Sequence, residues 1–374
     1  METMHKAYKF RIYPNSEQQV LLAKTFGCVR LVYNHYLALK SRTYEESGKT
    51  LSYTKCAADL VKFKKDKSFL KEADSIALQQ TLRHLDTAFQ NFFRDKNAGY
   101  PRFKSKKNHH DSYSTVCVNN NIKLGNGCLV LPKVGKVRIK QHRSIPSDYI
   151  LKSVTVSRTP SGKYFASILF EYKSEIHAVS PVKAIGLDYS MHGLFVSSED
   201  DVAVDEQFLH HYRKSLDRLV KEQRILSHRQ KGSNRYHKQR VKVAKLHEHI
   251  KNQRADYLHK LSRQIANAYD VVCVETLDMK AMSRALNFGR SVADNAWGMF
   301  LRFLDYKLSQ LGKMLVKIDK WFASSKTCHI CGYVNEGLTL GTRIWECPVC
   351  NTVHDRDRNA SANIKMEGLR MISA

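Results

Sequence analysis

Four cysteines near the C-terminus constrain this chain more than any other feature of its sequence. They form two Cys-x2-Cys pairs, Cys328 with Cys331 and Cys347 with Cys350, separated by 15 residues. Cysteines at this spacing are typical of a closed tetrahedral zinc site that leaves no open position on the metal. Four ordinary buried cysteines are the alternative. We predict a structural zinc ion that folds residues 324–352, a segment with little core of its own.

The net charge of the chain indicates a polyanionic partner. Its 62 Lys and Arg residues outnumber 35 Asp and Glu residues, which gives a formal charge of +27. Such an excess opposes compaction unless a polyanion neutralises it, and nucleic acid is the obvious candidate. A protein that is merely soluble, or one that binds acidic membranes, is the alternative.

Other features favour a protein that stays inside the cell. No apolar run approaches the length of a membrane span. Residues 1–10 alternate charged and apolar side chains without a signal-peptide core. The cysteines outside the zinc motif lie scattered in apolar contexts, which is typical of a reducing compartment; they are Cys28, Cys56, Cys117, Cys128 and Cys273.

Helical patterns dominate the segment after the first strand. Ser16 is placed to cap a long amphipathic helix from about Glu17 to Tyr44. A second helical pattern covers about residues 53–63, and a third covers about residues 76–93. We therefore predict a small helical bundle over residues 16–99.

Strand patterns surround this bundle. Residues 5–13 alternate with period two and predict a strand with one basic face. Short alternating runs separated by Gly and Pro turn residues continue from 113 to 178. We predict one β-barrel or sandwich formed by residues 1–15 and 100–180, interrupted by the helical bundle.

Two basic segments are candidates for contact with nucleic acid. Residues 100–107 interleave aromatic and cationic side chains, which can stack on bases and hold phosphates. Residues 206–263 form a basic helical segment with sixteen Lys or Arg and five acids. A plain linker and a solvated helical hairpin are the respective alternatives. The candidate contact residues, including one near the C-terminus, are Arg102, Phe103, Lys104, Arg235, Lys238 and Arg356.

Three acids lie at the ends of predicted elements. Asp188 ends the apolar run 183–188, Glu275 ends the run 271–275, and Asp357 opens the last predicted helix. A carboxylate at the end of a buried strand is costly unless a cation accompanies it. Mg²⁺ uses few protein carboxylates, and two such ions about 3.5–4 Å apart can drive phosphodiester cleavage. The order of these acids on an α/β scaffold predicts an RNase H-like nuclease.

Each acid alone has a simpler interpretation. A strand-end residue such as Asp188 is more often a turn former than a ligand. Either Asp355 or Asp357 could cap the last helix instead of binding metal.

At these positions the sequence resembles the transposon-encoded TnpB nucleases, which are relatives of type V CRISPR effectors. The resemblance spans nearly the whole chain. Besides the cysteine pairs, the motifs that support it are Tyr8-Lys-Phe-Arg-Ile-Tyr-Pro, Pro101-Arg-Phe-Lys, Gly186-Leu-Asp188, Val274-Glu275-Thr-Leu, Ser324-Ser-Lys-Thr-Cys328 and Asp355-Arg-Asp357-Arg-Asn-Ala.

The resemblance implies an α/β multidomain protein with two lobes. The expected parts are a wedge-like β-barrel domain (1–15 and 100–180), a helical recognition domain (16–99), a RuvC-like nuclease domain with an RNase H-like fold (181–323 and 353–374) and its zinc-binding insert (324–352).

It also implies an activity and partners. Asp188, Glu275 and Asp357 would hold two catalytic Mg²⁺ ions, with Asp355 as second choice for the last position. A guide RNA from the transposon end would pair with double-stranded target DNA beside a short adjacent motif, and a monomer would act in the ribonucleoprotein. We expect a prokaryotic cytoplasmic protein that associates with the nucleoid when it acts.

Two other functions fit the same sequence. One is a pure binding protein, either a guide-directed DNA-binding repressor without cleavage or a non-catalytic RNA chaperone, in which the three acids are structural. The other is a transposase that acts by DNA strand transfer, which RNase H-like folds also perform. The four-cysteine insert directly before the final acid favours the guided nuclease over the transposase.

Overall fold

The computed structural model describes residues 2–108, 111–190, 193–202, 206–279, 296–339 and 341–373. The chain divides into two units, Met1–Glu175 and Ile176–Ala374. None of the described helices is long and apolar enough to cross a membrane.

Three helices of the first unit follow its first strand, as predicted: α1 (Ser16–Ser47), α2 (Tyr53–Asp66) and α3 (Ser75–Arg94). The predicted cap of α1 was wrong by one residue. Asn15, not Ser16, caps the helix, because its Oδ1 accepts from the backbone N–H of Gln18 at 2.8 Å. Gln18 Oε1 in turn accepts from the backbone N–H of Asn15 at 3.1 Å, which is a reciprocal capping box.

A seven-stranded sheet forms the rest of the first unit, in the order β2-β6-β7-β1-β5-β4-β3. On β1, buried Phe10 and Ile12 alternate with the more exposed Lys9 and Arg11, so the predicted basic face is confirmed. Phe10 and Ile12 share one core with side chains of the three helices. The strands are β1 (Glu2–Tyr13), β2 (Asp111–Val116), β3 (Lys123–Gly125), β4 (Cys128–Leu131), β5 (Gly135–Lys140), β6 (Ile150–Arg158) and β7 (Tyr164–Ser174).

This sheet includes the first strand together with the strands that follow the helices. β1 pairs antiparallel with β7 from Glu2 to Ile12 and with β5 near its end. Between the outer strands β2 and β3, no hydrogen-bonded ladder occurs among the described residues. Closure of the sheet into a barrel therefore stays a prediction.

A four-stranded sheet, in the order β11-β10-β8-β9, forms the centre of the second unit. Its strands are β8 (Ala184–Ser190), β9 (Leu194–Ser197), β10 (Val271–Glu275) and β11 (Met314–Ile318). β10 runs parallel to β8 and β11, and β9 runs antiparallel to β8.

Helices cover both faces of this sheet. Val272 and Val274 of β10 pack with α5 (Asn234–Ala268) and α6 (Trp297–Gln310). Val271 and Cys273 pack on the other side with α7 (Arg356–Ser373). Because both faces are covered, β10 is a continuous apolar run rather than an alternating one.

The predicted basic helical segment forms two helices. α4 (Glu206–Ser227) packs against the first part of α5, and Tyr212, Leu219, Val243 and Ile250 form a small core between them. The sequence pattern of residues 293–311 predicts one further helix, and α6 confirms it from Trp297 onward. Its predicted first residues, 293–295, lie outside the described residues.

Two glycines allow α7 to cross the sheet at very short distance. A Cβ atom on Gly186 of β8 would lie 2.0 Å from the backbone O of Ser361. A Cβ atom on Gly368 of α7 would lie 2.2 Å from Sγ of Cys273. Ser361 is one turn after Asp357, so this packing brings the start of α7 near the end of β8 that contains Asp188.

Candidate metal centres

The four predicted zinc ligands form one cluster. The Sγ atoms of Cys328, Cys331, Cys347 and Cys350 all lie within 4.8 Å of one another. The closest pairs are Cys331 with Cys347 at 3.5 Å and Cys328 with Cys350 at 3.6 Å. Four sulfur atoms about 2.3 Å from a tetrahedral zinc ion would be about 3.8 Å apart. The residues therefore fit a structural zinc ion.

Polar groups around the cluster support bound thiolates. Nε2 of His354 lies 3.1 Å from Sγ of Cys328, and the His354 ring packs against buried Trp345. Hydrogen bonds with Thr352 lower the pKa of Cys350 to about 6, which favours the thiolate at neutral pH. At Cys331, a backbone hydrogen bond with Tyr333 lowers the pKa, but desolvation and hydrogen bonds to the other three cysteines outweigh it and raise the pKa to about 12, so a bound cation is needed for that thiolate. Sequence reasoning missed His354, although its position four residues after the last cysteine was visible.

The first two candidate acids lie on neighbouring parallel strands. Leu187 of β8 pairs with Val274 of β10, so Asp188 and Glu275 are the next residues of the two strands. Adjacent strands are about 4.8 Å apart, which places both carboxylates at one edge of the sheet. Asp188 does not end its strand as predicted, because β8 continues to Ser190 along β9.

Partial burial destabilises the charged forms of both acids, and neighbouring negative charges add to this effect at Asp188. Burial, followed by the negative charges of Glu275 and Asp357, raises the pKa of Asp188 well above its ordinary value, and Arg356 opposes this shift. Burial also raises the pKa of Glu275, against a hydrogen bond that Ser324 Oγ donates to its Oε1. Among the ion pairs of the described residues, none includes Asp188 or Glu275. A bound cation would relieve this unfavourable charge.

Asp357 has two cationic neighbours. Arg343 Nη1 donates to its Oδ2 at 2.7 Å, and Arg356 Nε and Nη2 donate to its Oδ1 at 3.2 and 3.1 Å. Arg343 lies in the zinc insert between the two cysteine pairs. Nothing in the cysteine spacing pointed to this arginine, and sequence reasoning missed it.

The neighbouring acid Asp355 has a different role in the structure. Its Oδ1 accepts the backbone N–H groups of Asp357 at 3.0 Å and Arg358 at 2.9 Å. These are the contacts of a helix N-cap, so the Asp355 carboxylate is held at the start of α7. Asp357 is the acid of this pair whose charge acts on Asp188.

The three acids are spaced more widely than the cysteines. Within the described part of the chain, the four cysteines are the only group of three or more ligating side chains whose ligand atoms all lie within 4.8 Å. The carboxylate oxygens of Asp188, Glu275 and Asp357 are therefore too far apart to bind one ion as the four cysteines do. A pair of ions, as in two-metal nucleases, would need a wider spacing of carboxylates than one ion needs.

Two amide side chains of α7 hold the start of the zinc insert on that helix. Asn359 Oδ1 accepts the backbone N–H of His329 at 3.0 Å, and its Nδ2 donates to Thr327 O at 2.7 Å. One turn later, Asn363 Nδ2 donates to Ser324 O at 2.7 Å and to Thr327 O at 2.6 Å. The start of the insert is thus bound to the helix that begins with the candidate catalytic aspartate.

The candidate nucleic-acid contacts of the first unit lie on an anchored segment. Arg102 and Phe103 are exposed between α3 and β2. The Lys104 ammonium lies 4.1 Å from the centre of the Tyr33 ring, and the Lys104 backbone N–H donates to Asn34 Oδ1 at 2.8 Å. Binding of nucleic acid by this segment stays a prediction.

The remaining candidates belong to the second unit. Arg235 and Lys238 are exposed on the first turns of α5. Arg356 is largely buried and contacts Asp357, so its guanidinium lies beside the acids. Whether any of them binds nucleic acid stays a prediction.

Three family models match parts of the chain. A model described as a probable transposase (OrfB_IS605) matches residues 167–286, and one described as a Cas12f1-like TNB domain matches residues 297–364. A third, described as a helix-turn-helix domain of the same OrfB group, matches residues 1–49, which form β1 and α1 here.

Full-length relatives carry related names. A Streptomyces pristinaespiralis protein, named for an inferred RNA-guided DNA endonuclease activity, is 38% identical over 99% of this chain and 90% of its own length. The Escherichia coli K12 protein InsQ, named in the same way, is 30% identical over 97% of this chain and 92% of its own length.

The fold also resembles a solved structure. A Cas12f1 chain, determined by cryo-electron microscopy in complex with sgRNA and target DNA, matches with a TM-score of 0.64 at 13% identity, over 97% of this chain and 99% of that chain. The second unit and its four-cysteine insert are therefore parts of an α/β protein with a Cas12f1-like fold. The two relatives, at 38% and 30% identity over nearly the whole chain, show that the chain belongs to the TnpB family.

Proposed function

We propose that this chain is an RNA-guided DNA endonuclease in which Asp188, Glu275 and Asp357 bind two Mg²⁺ ions. The observation that carries the proposal is the position of Asp188, a partly buried carboxylate that follows the Leu187–Val274 pair of parallel strands and is exposed to the charges of Glu275 and Asp357. Partly desolvated acids that converge at one edge of a sheet are typical of functional sites. The names of the full-length relatives supply the guided reaction and its nucleic-acid partners.

The strand directions support an RNase H-like nuclease domain of residues 181–323 and 353–374. An antiparallel pair, β8 with β9, continues into parallel β10 and β11. The Asp188 and Glu275 positions then meet where two parallel strands bring their carboxyl ends together. The proposed wedge-like and recognition domains are residues 1–15 with 100–180, and residues 16–99.

The acids would act through their oxygen atoms. Asp188 and Glu275 present hard carboxylate ligands of the kind that Mg²⁺ prefers, and the Ser324 hydroxyl orients Glu275. When bound, the ions lower the pKa of a water molecule and stabilise charge on the phosphodiester. Arg343 is exposed enough for its guanidinium to contact both Asp357 and a phosphate oxygen.

Target selection would be delegated to the RNA. A protein with a net charge of +27 can hold a guide–target duplex through backbone and shape, while base pairing reads the sequence. The protein itself would read the short adjacent motif in duplex DNA. We propose a monomer in the ribonucleoprotein.

The test begins with the RNA that copurifies with the protein. That RNA is sequenced, and plasmids that contain the matching target beside a randomised flank are incubated with the ribonucleoprotein and Mg²⁺. We expect double-strand cleavage next to one short motif. The variants Asp188→Asn, Glu275→Gln and Asp357→Asn should abolish cleavage while RNA and target binding remain.

A matched control lies two residues from the last acid. Asn is as good a helix N-cap as Asp, so Asp355→Asn should fold and cleave like the wild type. Cleavage retained by Asp357→Asn but lost in Asp355→Asn would reverse the assignment. Specific binding without cleavage by the wild type would favour the repressor, and joined DNA strands would favour the transposase.

A further inference from the structure

One tryptophan of this chain is placed unlike the other two. Trp297 and Trp345 are 2% and 6% exposed, whereas Trp321 is 80% exposed. A tryptophan carries a large apolar surface that folding normally removes from water. An exposed indole on an ordered segment therefore requires another explanation.

The backbone around Trp321 is fixed beside the candidate acids. Strand β11 ends at Ile318, which pairs with Glu275, and Thr276 Oγ1 donates to Ile318 O at 2.7 Å. At the other end, Ser324 Oγ donates to Glu275 Oε1. Trp321 lies three residues from each anchor, so its Cα is no more than about 11 Å from either one.

The segment 319–323 is a built turn. Asp319 Oδ1 accepts the backbone N–H of Trp321 at 2.7 Å, and Asp319 O accepts that of Phe322 at 3.3 Å. The apolar pattern of residues 314–321 predicts a strand that continues to Trp321, but this side-chain turn ends β11 three residues earlier, at Ile318. The Lys320 ammonium lies 4.4 Å from the centre of the indole ring, and most of the ring surface stays open.

We propose that Trp321 is a stacking platform that binds an unpaired base of single-stranded DNA and positions that strand at the acids. This inference rests on the proposed function and adds the residue that holds the strand beside the site. An aromatic face with a neighbouring cation binds any single-stranded base by stacking, while the cation meets the phosphate. Bases inside a duplex already stack on each other, so the platform selects single strands.

The first test uses tryptophan fluorescence. The ribonucleoprotein is titrated in a buffer without Mg²⁺, which prevents cleavage and leaves the zinc in place, with oligodeoxythymidylate and with a hairpin duplex of equal length. Because the other two tryptophans are buried, quenching by a stacked base reports Trp321. We expect quenching by the single strand and much less by the duplex, and no such signal from Trp321→Phe.

The second test measures affinity at raised salt, where phosphate contacts weaken and stacking persists. Trp321→Ala should lower the affinity for oligodeoxythymidylate about 5-fold to 150-fold, the range for one stacked base, and Trp321→Tyr should restore most of it. In cleavage of an unpaired strand, Trp321→Ala should raise KM and also lower kcat, because the strand is then held less well at the acids. Phe93→Ala is the control, because it removes another exposed aromatic side chain (72% exposed). It should change neither the affinity for oligodeoxythymidylate nor the kinetics of cleavage.

Defined results would overturn the inference. Unchanged affinity in Trp321→Ala, or equal quenching by the duplex, excludes a platform for unpaired bases. Stronger quenching by oligouridylate than by oligodeoxythymidylate assigns Trp321 to RNA instead. Cleavage that survives Asp188→Asn refutes the proposed function, whereas the fluorescence result without Mg²⁺ is decided independently of it.

Discussion

Asn359 offers a direct test of how the zinc insert supports the acids. Its buried side chain joins α7 to the first cysteine knuckle through bonds to His329 N and Thr327 O, and its Oδ1 also lies 2.9 Å from His329 Nδ1. Asn359→Ala removes these bonds. Thr327 O keeps the bond from Asn363, so the unsatisfied groups that remain are on His329.

The lost hydrogen bonds set the expected decrease in the free energy with which the insert docks on α7. Two to three lost hydrogen bonds at about 1 kcal/mol each give a loss of about 2–3 kcal/mol in docking free energy. If zinc leaves from the undocked insert, a chelator should extract it about 30-fold to 150-fold faster. Cleavage should fall as well, because the undocked insert no longer fixes Glu275 and Asp357.

The assay is zinc release to a colorimetric chelator, with limited proteolysis of residues 324–352 in parallel. Asn335→Ala is the matched control, because the Asn335 side chain bonds only Gly337 within the insert among the described contacts. Zinc release that is equally slow in both variants and the wild type would refute the coupling between α7 and the insert.

Three further predictions concern the second unit. Gly186→Ala forces a Cβ atom against the backbone of α7, so it should lower the midpoint of thermal unfolding and abolish cleavage. Gly27→Ala is the control, because nothing lies within 4 Å of the added atom. It should leave cleavage unchanged and keep or slightly raise the midpoint of unfolding. Burial lowers the pKa of Lys307 to about 8. The unfolded state then binds more protons between about pH 8 and 10.4, so the free energy of unfolding should rise with pH in that window by at most about 3 kcal/mol relative to Lys307→Met. Denaturant titrations at several pH values without this difference would contradict it. Arg343→Gln removes one cation from Asp357 and should reduce cleavage with intact RNA binding, measured by single-turnover kinetics and filter binding; unchanged kinetics would exclude a role for this arginine.

The sequence predicted those parts of the fold that depend on short-range pattern. The five-residue run of β10 and its terminal Glu275 were visible as an apolar strand. Asp188 was visible too, but its strand continues because β9 pairs with it beyond the point where β10 ends. The Asp188 carboxylate therefore lies where the pairing of β8 with β10 stops, two residues before β8 itself ends.

Contacts between distant segments could not be predicted in this way. Arg343 reaches Asp357 across 14 residues, and Asn359 reaches His329 across 30. Periodicity gives no register between an insert and a helix, so neither contact has a signal in the sequence. The end of β11 at Ile318 is different, because the Asx turn at Asp319 was a local signal that the strand pattern obscured.

Chain order explains why a structural zinc site lies beside a proposed magnesium site. The insert begins at Ser324, which bonds Glu275, and ends just before Asp357, so both of its ends are at the acids. Four thiolates hold zinc in a closed site that persists, whereas carboxylates hold magnesium weakly enough for exchange with substrate. Asp188 lies on β8, outside the insert. Loss of zinc should therefore displace Glu275 and Asp357 relative to an Asp188 that stays in place, which removes catalysis without unfolding the sheet.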